Sequence, residues 1–455
     1  MSDILQSGLA EEELTKRIAE RVSSSGVQKF IGIGNGLSRN KHFFKANSQF
    51  YLSTDDFLRD FDPDHFRDEI ILVKGARVFR FEQIIAVLQK KVHGTVMEVD
   101  LGALVHNLNF FKSRLKPGTK LMVMVKAFAY GSSSVEVANV LQYHQAGDLG
   151  VAYADEGVEL RQHFISLPIM VMNPTEESFP AMINYKLEPE IYSFKILHAL
   201  INFLHGRNLS IHIKLDTGMH RLGFEQEDVE GLIELLKKNA NLKVASLFSH
   251  LAGSDEKDHD DFSRKQADLF LKLASRICSE LGIKPIKHLL NTPGILRFPG
   301  YQLDMVRLGI GLYGVDPTTD GHPLKPVATL KTVISQIRKV KKGEHIGYSR
   351  KGKAGKDSTI GTIAIGYADG YSRAFSQGKG EVLIKGIRVP VIGNVCMDMT
   401  MIDLSNVDAK EGDEVIIFGP DLPISEVASR IDTIPYEILT NTSERVKRIF
   451  VAESM

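Results

Sequence analysis

Cysteine is nearly absent from this 455-residue chain, occurring only as Cys278 and Cys396. Two thiols so far apart exclude a disulfide framework and a cysteine-based zinc site, and they fit a reducing, cytoplasmic setting. An excess of charge of one sign is also missing, since 56 basic residues balance 56 acidic ones. No net field would draw such a chain to nucleic acid or to an anionic membrane. No stretch approaches the ~18 uninterrupted apolar residues of a membrane span. The opening MSDILQSGLAEEELTKR is acidic and helical rather than basic then apolar, so neither export nor membrane insertion is expected. Fixed-period repeats and low-complexity tracts are lacking as well. What is present, 43% apolar and 25% charged residues, is the balance of a folded, soluble protein. The length exceeds what one ordinary core organises, so two or three domains are expected.

The patterning divides the chain into segments 1–93, 94–325 and 326–455. In the first, Leu9–Ser24 has helical spacing. Short β-rich runs follow at Lys29–Ile33, Gln49–Ser53 and Glu69–Val73, with helical patterns at Thr54–Arg59 and Phe81–Lys90. This predicts a small parallel α/β unit. From Thr95 a regular alternation sets in, with strands at Leu121–Val125, Leu149–Ala152, Ile169–Met172, Leu187–Ile191, Ser210–Lys214, Val244–Phe248, His288–Asn291 and Met305–Leu308. That count and length predict a (β/α)8 barrel, whose functional residues come from the carboxyl ends of its strands. After Pro326 the pattern turns to strands without long helices: Ala328–Ile337, Ser358–Ile365, Glu381–Ile384, Val389–Ile392, Met399–Asp403 and Glu414–Phe418. A mainly-β C-terminal domain is expected, closing on helical patterns at Pro423–Ser429 and Pro435–Leu439 and a strand at Val446–Val451.

Chemistry concentrates first in Leu121-Met-Val-Met-Val-Lys126-Ala-Phe-Ala-Tyr130-Gly131. A lysine that ends a buried strand must find a partner, lose its charge or form a covalent adduct. It is a Schiff-base candidate, although a lysine snorkelling from the barrel rim to water fits the same residues. The segment resembles the cofactor-lysine motif of the alanine racemase family. The resemblance implies that Lys126 carries pyridoxal phosphate covalently and acts as one catalytic base, and that Tyr130 contacts the phosphate.

Further segments match the same family in order. Lys214-Leu-Asp-Thr-Gly-Met-His-Arg221-Leu-Gly resembles the stretch whose arginine meets the cofactor and the substrate carboxylate, and whose lysine is often carbamylated. Arg221 and Lys214 inherit those roles, with a plain Lys–Asp ion pair as the alternative for Lys214. His250 falls where the family keeps a histidine beside the cofactor ring, and Asn291-Thr292 where it commonly has Asn-Ser, with the hydroxyl for phosphate retained. Met305-Val-Arg307-Leu-Gly309-Ile310 resembles the segment whose arginine faces the pyridine nitrogen and whose amides hold the phosphate. Arginine can only donate, so it would keep that nitrogen unprotonated. Gly309-x-Gly311-x-x-Gly314 is formally a dinucleotide fingerprint, but Val315-Asp316-Pro317 starts no helix.

In the C-terminal segment, Tyr348 matches the second catalytic base, Tyr367 and Arg373 match channel residues, and Met397 and Asp398 lie where the family approaches the substrate carboxylate. Tyr436 matches a tyrosine on the phosphate. In the family, the second base reaches in from another subunit, so the resemblance implies a homodimer acting on alanine. Lys126 would serve D-alanine and Tyr348 L-alanine, in the service of peptidoglycan synthesis. A fold-related pyridoxal-phosphate decarboxylase and a non-catalytic cofactor-binding barrel stay open as alternatives. Lys29–Gly34, Phe50–Thr54 and Ile71–Arg77 resemble the end of UDP-N-acetylmuramoyl-tripeptide:D-alanyl-D-alanine ligase, which implies the racemase end of a ligase–racemase fusion. No GxxxxGK[ST] loop is present, so this part could not activate a carboxylate with ATP.

Overall fold

The computed structural model describes residues 1–4, 8–45, 47–62, 65–66, 71–88, 94–318 and 321–451. The chain falls into two compact units, Met1–Val92 and His93–Met455.

In the first unit Phe30–Ile33 and Ser48–Tyr51 pair in parallel, with Phe30 opposite Ser48. Ile33, Phe57, Phe81 and Ile84 form its buried core. The helix Thr54–Arg59 starts on Ser53, whose side chain accepts from the Asp56 N–H, a normal N-cap. The expected strand Glu69–Val73 does not appear as read. Positions 69–70 lie outside the described residues, and Ile71–Val73 is irregular with Leu72 86% exposed, so the half-buried surface a strand needs is missing. The expected helix Phe81–Lys90 runs Glu82–Leu88, and 89–90 lie outside the described residues.

The second unit contains a closed barrel. Its strands are Lys120–Met124, Asp148–Val151, Ile169–Val171, Glu188–Ile191, Leu209–Lys214, Leu242–Phe248, Ile286–His288 and Met305–Leu308. They follow chain order, all parallel, and the last closes on the first with Met305 opposite Lys120. Helices between them present one apolar face. Phe194–Leu204, for example, is capped by Ser193 and buries Ile196, Leu197, Leu200 and Leu204. In Leu209–Lys214, apolar Leu209, Ile211 and Ile213 alternate with Ser210, His212 and Lys214. A period of two sends these sets to opposite faces. Helices cover the outside, so the polar set faces the barrel interior, and both His212 and Lys214 are buried.

One element differs from the expected barrel alternation from Thr95. Val96–Asp100 joins the C-terminal sheet, antiparallel to Ala328–Val340 and parallel to Lys447–Val451. Met97 and Val99 are fully buried there, and Asp100 at once caps the helix Leu101–Ser113. The sheet runs Ile387–Pro390, Glu381–Ile384, Glu414–Phe418, Ala328–Val340, Ser358–Ile363 and Thr400–Asp403. A register shift between Ile334 and Gln336 lets the 13-residue central strand serve different neighbours along its length.

Candidate active site

A cavity of about 530 Å³ opens at the carboxyl ends of the barrel strands, where this architecture places its chemistry. Its lining brings together Lys126, Tyr130, Lys214, Arg221, His250, Asn291, Thr292, Arg307, Gly309, Ile310 and Tyr436.

Lys126 follows directly on the first barrel strand. After it Ala127, Phe128, Ala129 and Tyr130 all have positive φ, between 49° and 55°. A left-handed conformation costs roughly 1–2 kcal/mol per non-glycine residue, so this turn is held by its surroundings. Ala127 N–H donates to Glu156 Oε1 at 2.6 Å. Arg448 donates from Nε to the Gly131 carbonyl at 2.8 Å, and its guanidinium covers the Phe128 ring at 5.3 Å. Strain of this kind concentrates at functional sites. Burial lowers the affinity of the Lys126 amine for its proton, and Arg221 adds to the effect against Glu156 and Glu190. The left-handed turn also presents Tyr130, stacked on Tyr313 at 4.5 Å. Burial holds the Tyr130 hydroxyl protonated, and it pushes Tyr436 up to about 12.

Backbone amides and hydroxyls gather on another part of the cavity wall. Thr292 Oγ1 accepts from the Gly309 N–H at 3.0 Å and the Gly311 N–H at 3.4 Å. A Cβ on Gly309 would come within 3.0 Å of Tyr130 Oη, so glycine keeps backbone and hydroxyls close. Asn291 acts structurally. Its side-chain oxygen accepts from the Gly294 N–H at 3.1 Å and from Ser254 Oγ at 2.7 Å, capping Thr292–Arg297. After Gly314 the chain is irregular, so the formal dinucleotide fingerprint opens no helix.

Arg307 is 2% exposed and fixed from below. Nη1 donates to His288 Nδ1 at 2.7 Å, and Nη2 to the Ser249 and Leu289 carbonyls at 2.7 and 2.9 Å and to His250 Nδ1 at 3.2 Å. Arginine only donates, so His288 Nδ1 is an acceptor and its proton sits on Nε2. That nitrogen lies 2.9 Å from Ser246 Oγ, which lies 2.7 Å from His212 Nδ1, and His212 Nε2 lies 2.9 Å from Glu188 Oε2. Every donor in this relay thus points away from Arg307, towards the Glu188 carboxylate. Burial pulls the Arg307 guanidinium down to about 10, opposed by Glu190, which leaves it charged at neutral pH. His250 is held neutral by burial and by the Arg307, Arg221, Lys214 and Lys126 cations.

Arg221 stands on a loop organised by Asp216. That carboxylate accepts from the N–H groups of Gly218, Met219 and Arg221 at 2.8, 3.0 and 3.2 Å. Burial raises the Asp216 carboxyl, but these amides outweigh it and hold it below the usual range. Lys214 pairs with Glu190, not with an aspartate, at 3.0 Å.

Five expected residues are not in this cavity. Tyr348, Tyr367, Arg373, Met397 and Asp398 lie in turns and loops of the C-terminal domain, exposed to solvent. Tyr348 is 68% exposed, Met397 54% and Tyr367 43%. Backbone contacts gather them: Tyr367 N–H donates to the Cys396 carbonyl and Ala368 N–H to Met397, both at 3.0 Å, and Asn394 Nδ2 to the Tyr348 carbonyl at 3.2 Å. Arg445 bridges Asp369 and Asp398 at 2.7 and 2.8 Å. Sequence reasoning passed over Glu190, Glu188, His212, Ser246, His288 and the left-handed turn. The polar alternation in Leu209–Lys214 and the two glutamates in Glu188–Ile191 were the available signals, because inside a barrel such a face points to the site.

Comparison with known proteins identifies the family. The family model "Alanine racemase, N-terminal domain" matches residues 99–317, and "Alanine racemase, C-terminal domain" matches 327–450. The alanine racemase of Desulfovibrio desulfuricans is 38% identical over 367 residues, covering 78% of this chain and 97% of that protein. The alanine racemase of Clostridium tetani is 36% identical over 371 residues, covering 78% and 95%. Among solved structures, alanine racemase of Clostridium difficile 630 superposes with a TM-score of 0.74 at 36% identity, covering 79% and 96%. Alanine racemase of Bartonella henselae, described with covalently bound pyridoxal phosphate, gives 0.72 at 28% identity, covering 79% and 99%. The family matches begin at residue 99, so the ligase-like reading of 1–93 and the fusion it implied draw no support from them. With both family domains matched in order on a barrel and sheet of the same architecture, this chain belongs to the alanine racemase family.

Proposed function

We propose that the chain interconverts L- and D-alanine with pyridoxal phosphate held covalently on Lys126, and that it works as a homodimer. The proposal rests on the division of the site residues. One chain gathers the lysine and a set of phosphate-sized donors in the barrel cavity, while Tyr348 and its neighbours stand exposed on loops of the C-terminal domain. Racemisation needs one base on each side of the α-carbon, and a second copy would bring Tyr348 opposite Lys126.

The cavity suits this cofactor on three counts. The Lys126 amine has its proton affinity lowered, as a Schiff-base lysine requires. The hydrogen bonds of Arg307 to the protein leave from Nη1 and Nη2, so Nε–H can serve an acceptor in the cavity such as a ring nitrogen. The hydroxyls of Thr292, Tyr130 and Tyr436 and the Ile310 amide offer donors to a phosphate, and Gly309 lets the backbone approach it. When bound, pyridoxal phosphate supplies the electron-withdrawing ring that acidifies the α-hydrogen.

The protein's own groups do the rest. Arg221 binds the substrate carboxylate, with Met397 of the second copy nearby. Neutral His250, which lines the cavity, would lie beside the cofactor ring. Lys126 handles the α-proton of D-alanine and Tyr348 that of L-alanine, while Tyr367, Arg373 and Asp398 line the approach. A cationic Arg307 would face the ring nitrogen, where related decarboxylases carry an acid, and this would favour racemisation over decarboxylation. D-alanine so formed would serve peptidoglycan synthesis. Cys278 and Cys396 are free thiols, in keeping with the cytoplasm. Among the described residues no helix is long and apolar enough to cross a membrane. We read the functional segments as 1–93, 94–325 and 326–455. Chiral chromatography after incubating the cofactor-loaded protein with L-alanine tests the proposal. D-alanine should accumulate towards an equal mixture, and its absence, with no α-hydrogen exchange in deuterated buffer, would reject it.

A further inference from the structure

Glu190, next to last in the fourth barrel strand, lines the cavity, is fully buried, and faces a group of cations. Its Oε1 lies 3.0 Å from Lys214 Nζ, itself 6% exposed. Among the described residues neither Glu190 oxygen has an aligned hydrogen bond, so the contact with Lys214 holds it as an ion pair. Arg307 and Arg221 line the same cavity; with Lys214 they favour the ionised carboxylate, against burial, which raises the Glu190 carboxyl above its ordinary range and lowers the Lys214 amine. Lys214 and Arg307 share the Phe248 ring beneath them, at 5.6 and 5.2 Å. The centre of the site is thus a buried carboxylate with a lysine on it and two arginines within its field.

A carbamate on Lys214 would need the free-base amine. Its nitrogen lone pair attacks the carbon of CO2, an N–C bond forms, and one proton leaves to solvent. The product carries a negative charge where an ammonium stood, against a carboxylate 3.0 Å away. Two buried anions sharing one position disfavour each other strongly.

We propose that Lys214 works as an unmodified ammonium, and that Glu190 supplies the buried negative charge by which Arg221 is positioned, so that this chain needs no carbamate there. Glu190 is a positioning residue: it acts on substrate through Arg221. This rests on the role given to Arg221 above.

The test uses the full-length holoenzyme equilibrated with carbon-13 bicarbonate and observed by carbon-13 NMR without denaturation. The native protein should show no carbamate resonance. Glu190→Gln removes the charge that holds the ammonium, so a carbamate should form, and it should vanish in Glu190→Gln/Lys214→Arg. In Glu190→Gln without bicarbonate, KM for alanine should rise roughly tenfold or more, as loss of a charged contact implies, and added bicarbonate should restore it. A carbamate on the native protein, absent in Lys214→Arg, would overturn the proposal. So would a Glu190→Gln variant whose KM is unchanged. The resonance is read from the protein itself, so a failure of racemisation would not be confused with a failure of this inference.

Discussion

Replacing Ser246 with alanine removes the middle of the relay that ends on Arg307. The serine hydroxyl accepts from His288 Nε2 and donates to His212 Nδ1. His288 is fully buried and His212 is 4% exposed, so neither orphaned nitrogen can turn to water. Moving the His288 proton to Nδ1 offers no escape, because Arg307 donates to that atom. Each unsatisfied buried group costs about 1–3 kcal/mol, and two together cost about 2–6 kcal/mol. Amide hydrogen exchange in Leu242–Phe248 and Ile286–His288, measured on the holoenzyme where exchange follows opening free energy, reads this directly. Protection should fall at least ~30-fold, the equivalent of about 2 kcal/mol. Adding His212→Leu removes one of the orphans, so the double variant should lose less than the sum of the two single ones. Protection within roughly twofold of the native protein, or simple additivity, would refute the relay as a connected network.

Lys126→Ala should abolish both racemisation and the cofactor fraction fixed by borohydride, read by mass spectrometry of the reduced protein. A fixed adduct in that variant would place the attachment elsewhere. The His212 hydrogen bond, opposed by burial, holds the Glu188 carboxyl below its ordinary range. A carboxyl lowered in the folded state adds stability above its unfolded value of about 4.3 and loses it as pH falls through the folded value. Glu188→Gln should therefore flatten the acid limb of melting temperature against pH, and an unaltered limb would contradict the pairing. Deleting residues 1–92 should leave racemisation substantially intact, because the family matches begin at residue 99. A truncated protein that folds and dimerises without activity would make the first unit part of the catalytic assembly.

The barrel was legible because its strands are apolar runs spaced by amphipathic helices, a pattern set by local neighbours. Val96–Asp100 was not, since its partners at 328–340 and 447–451 are remote in sequence and its own alternation suits either sheet. The left-handed turn after Lys126 left no local mark. Ala, Phe, Ala and Tyr have no preference for positive φ, and Glu156 and Arg448 impose it from a distance. Glu190 reads as a surface residue until the barrel closes around it. Lys214 was expected to bear a carbamate or to face an aspartate, and its partner lies on a neighbouring strand. The chain-order series of family-like motifs carried the site further than any single residue could, and it reached Tyr348, whose place no single chain explains.

Sharing of the site between two copies is tested most directly by mixing two inactive variants. Lys126→Ala should abolish racemisation, and Tyr348→Phe should depress it by about 10²–10⁴-fold for loss of a positioned base. Tyr348→Phe should retain its cofactor and still exchange the α-hydrogen of D-alanine in deuterated water. A hybrid purified by a different tag on each chain would contain one site with both bases intact and one with neither. It should recover about half the activity of the native dimer, the share of one intact site in two. A purified hybrid as inactive as its parents would contradict the assembly of Lys126 and Tyr348 from separate chains.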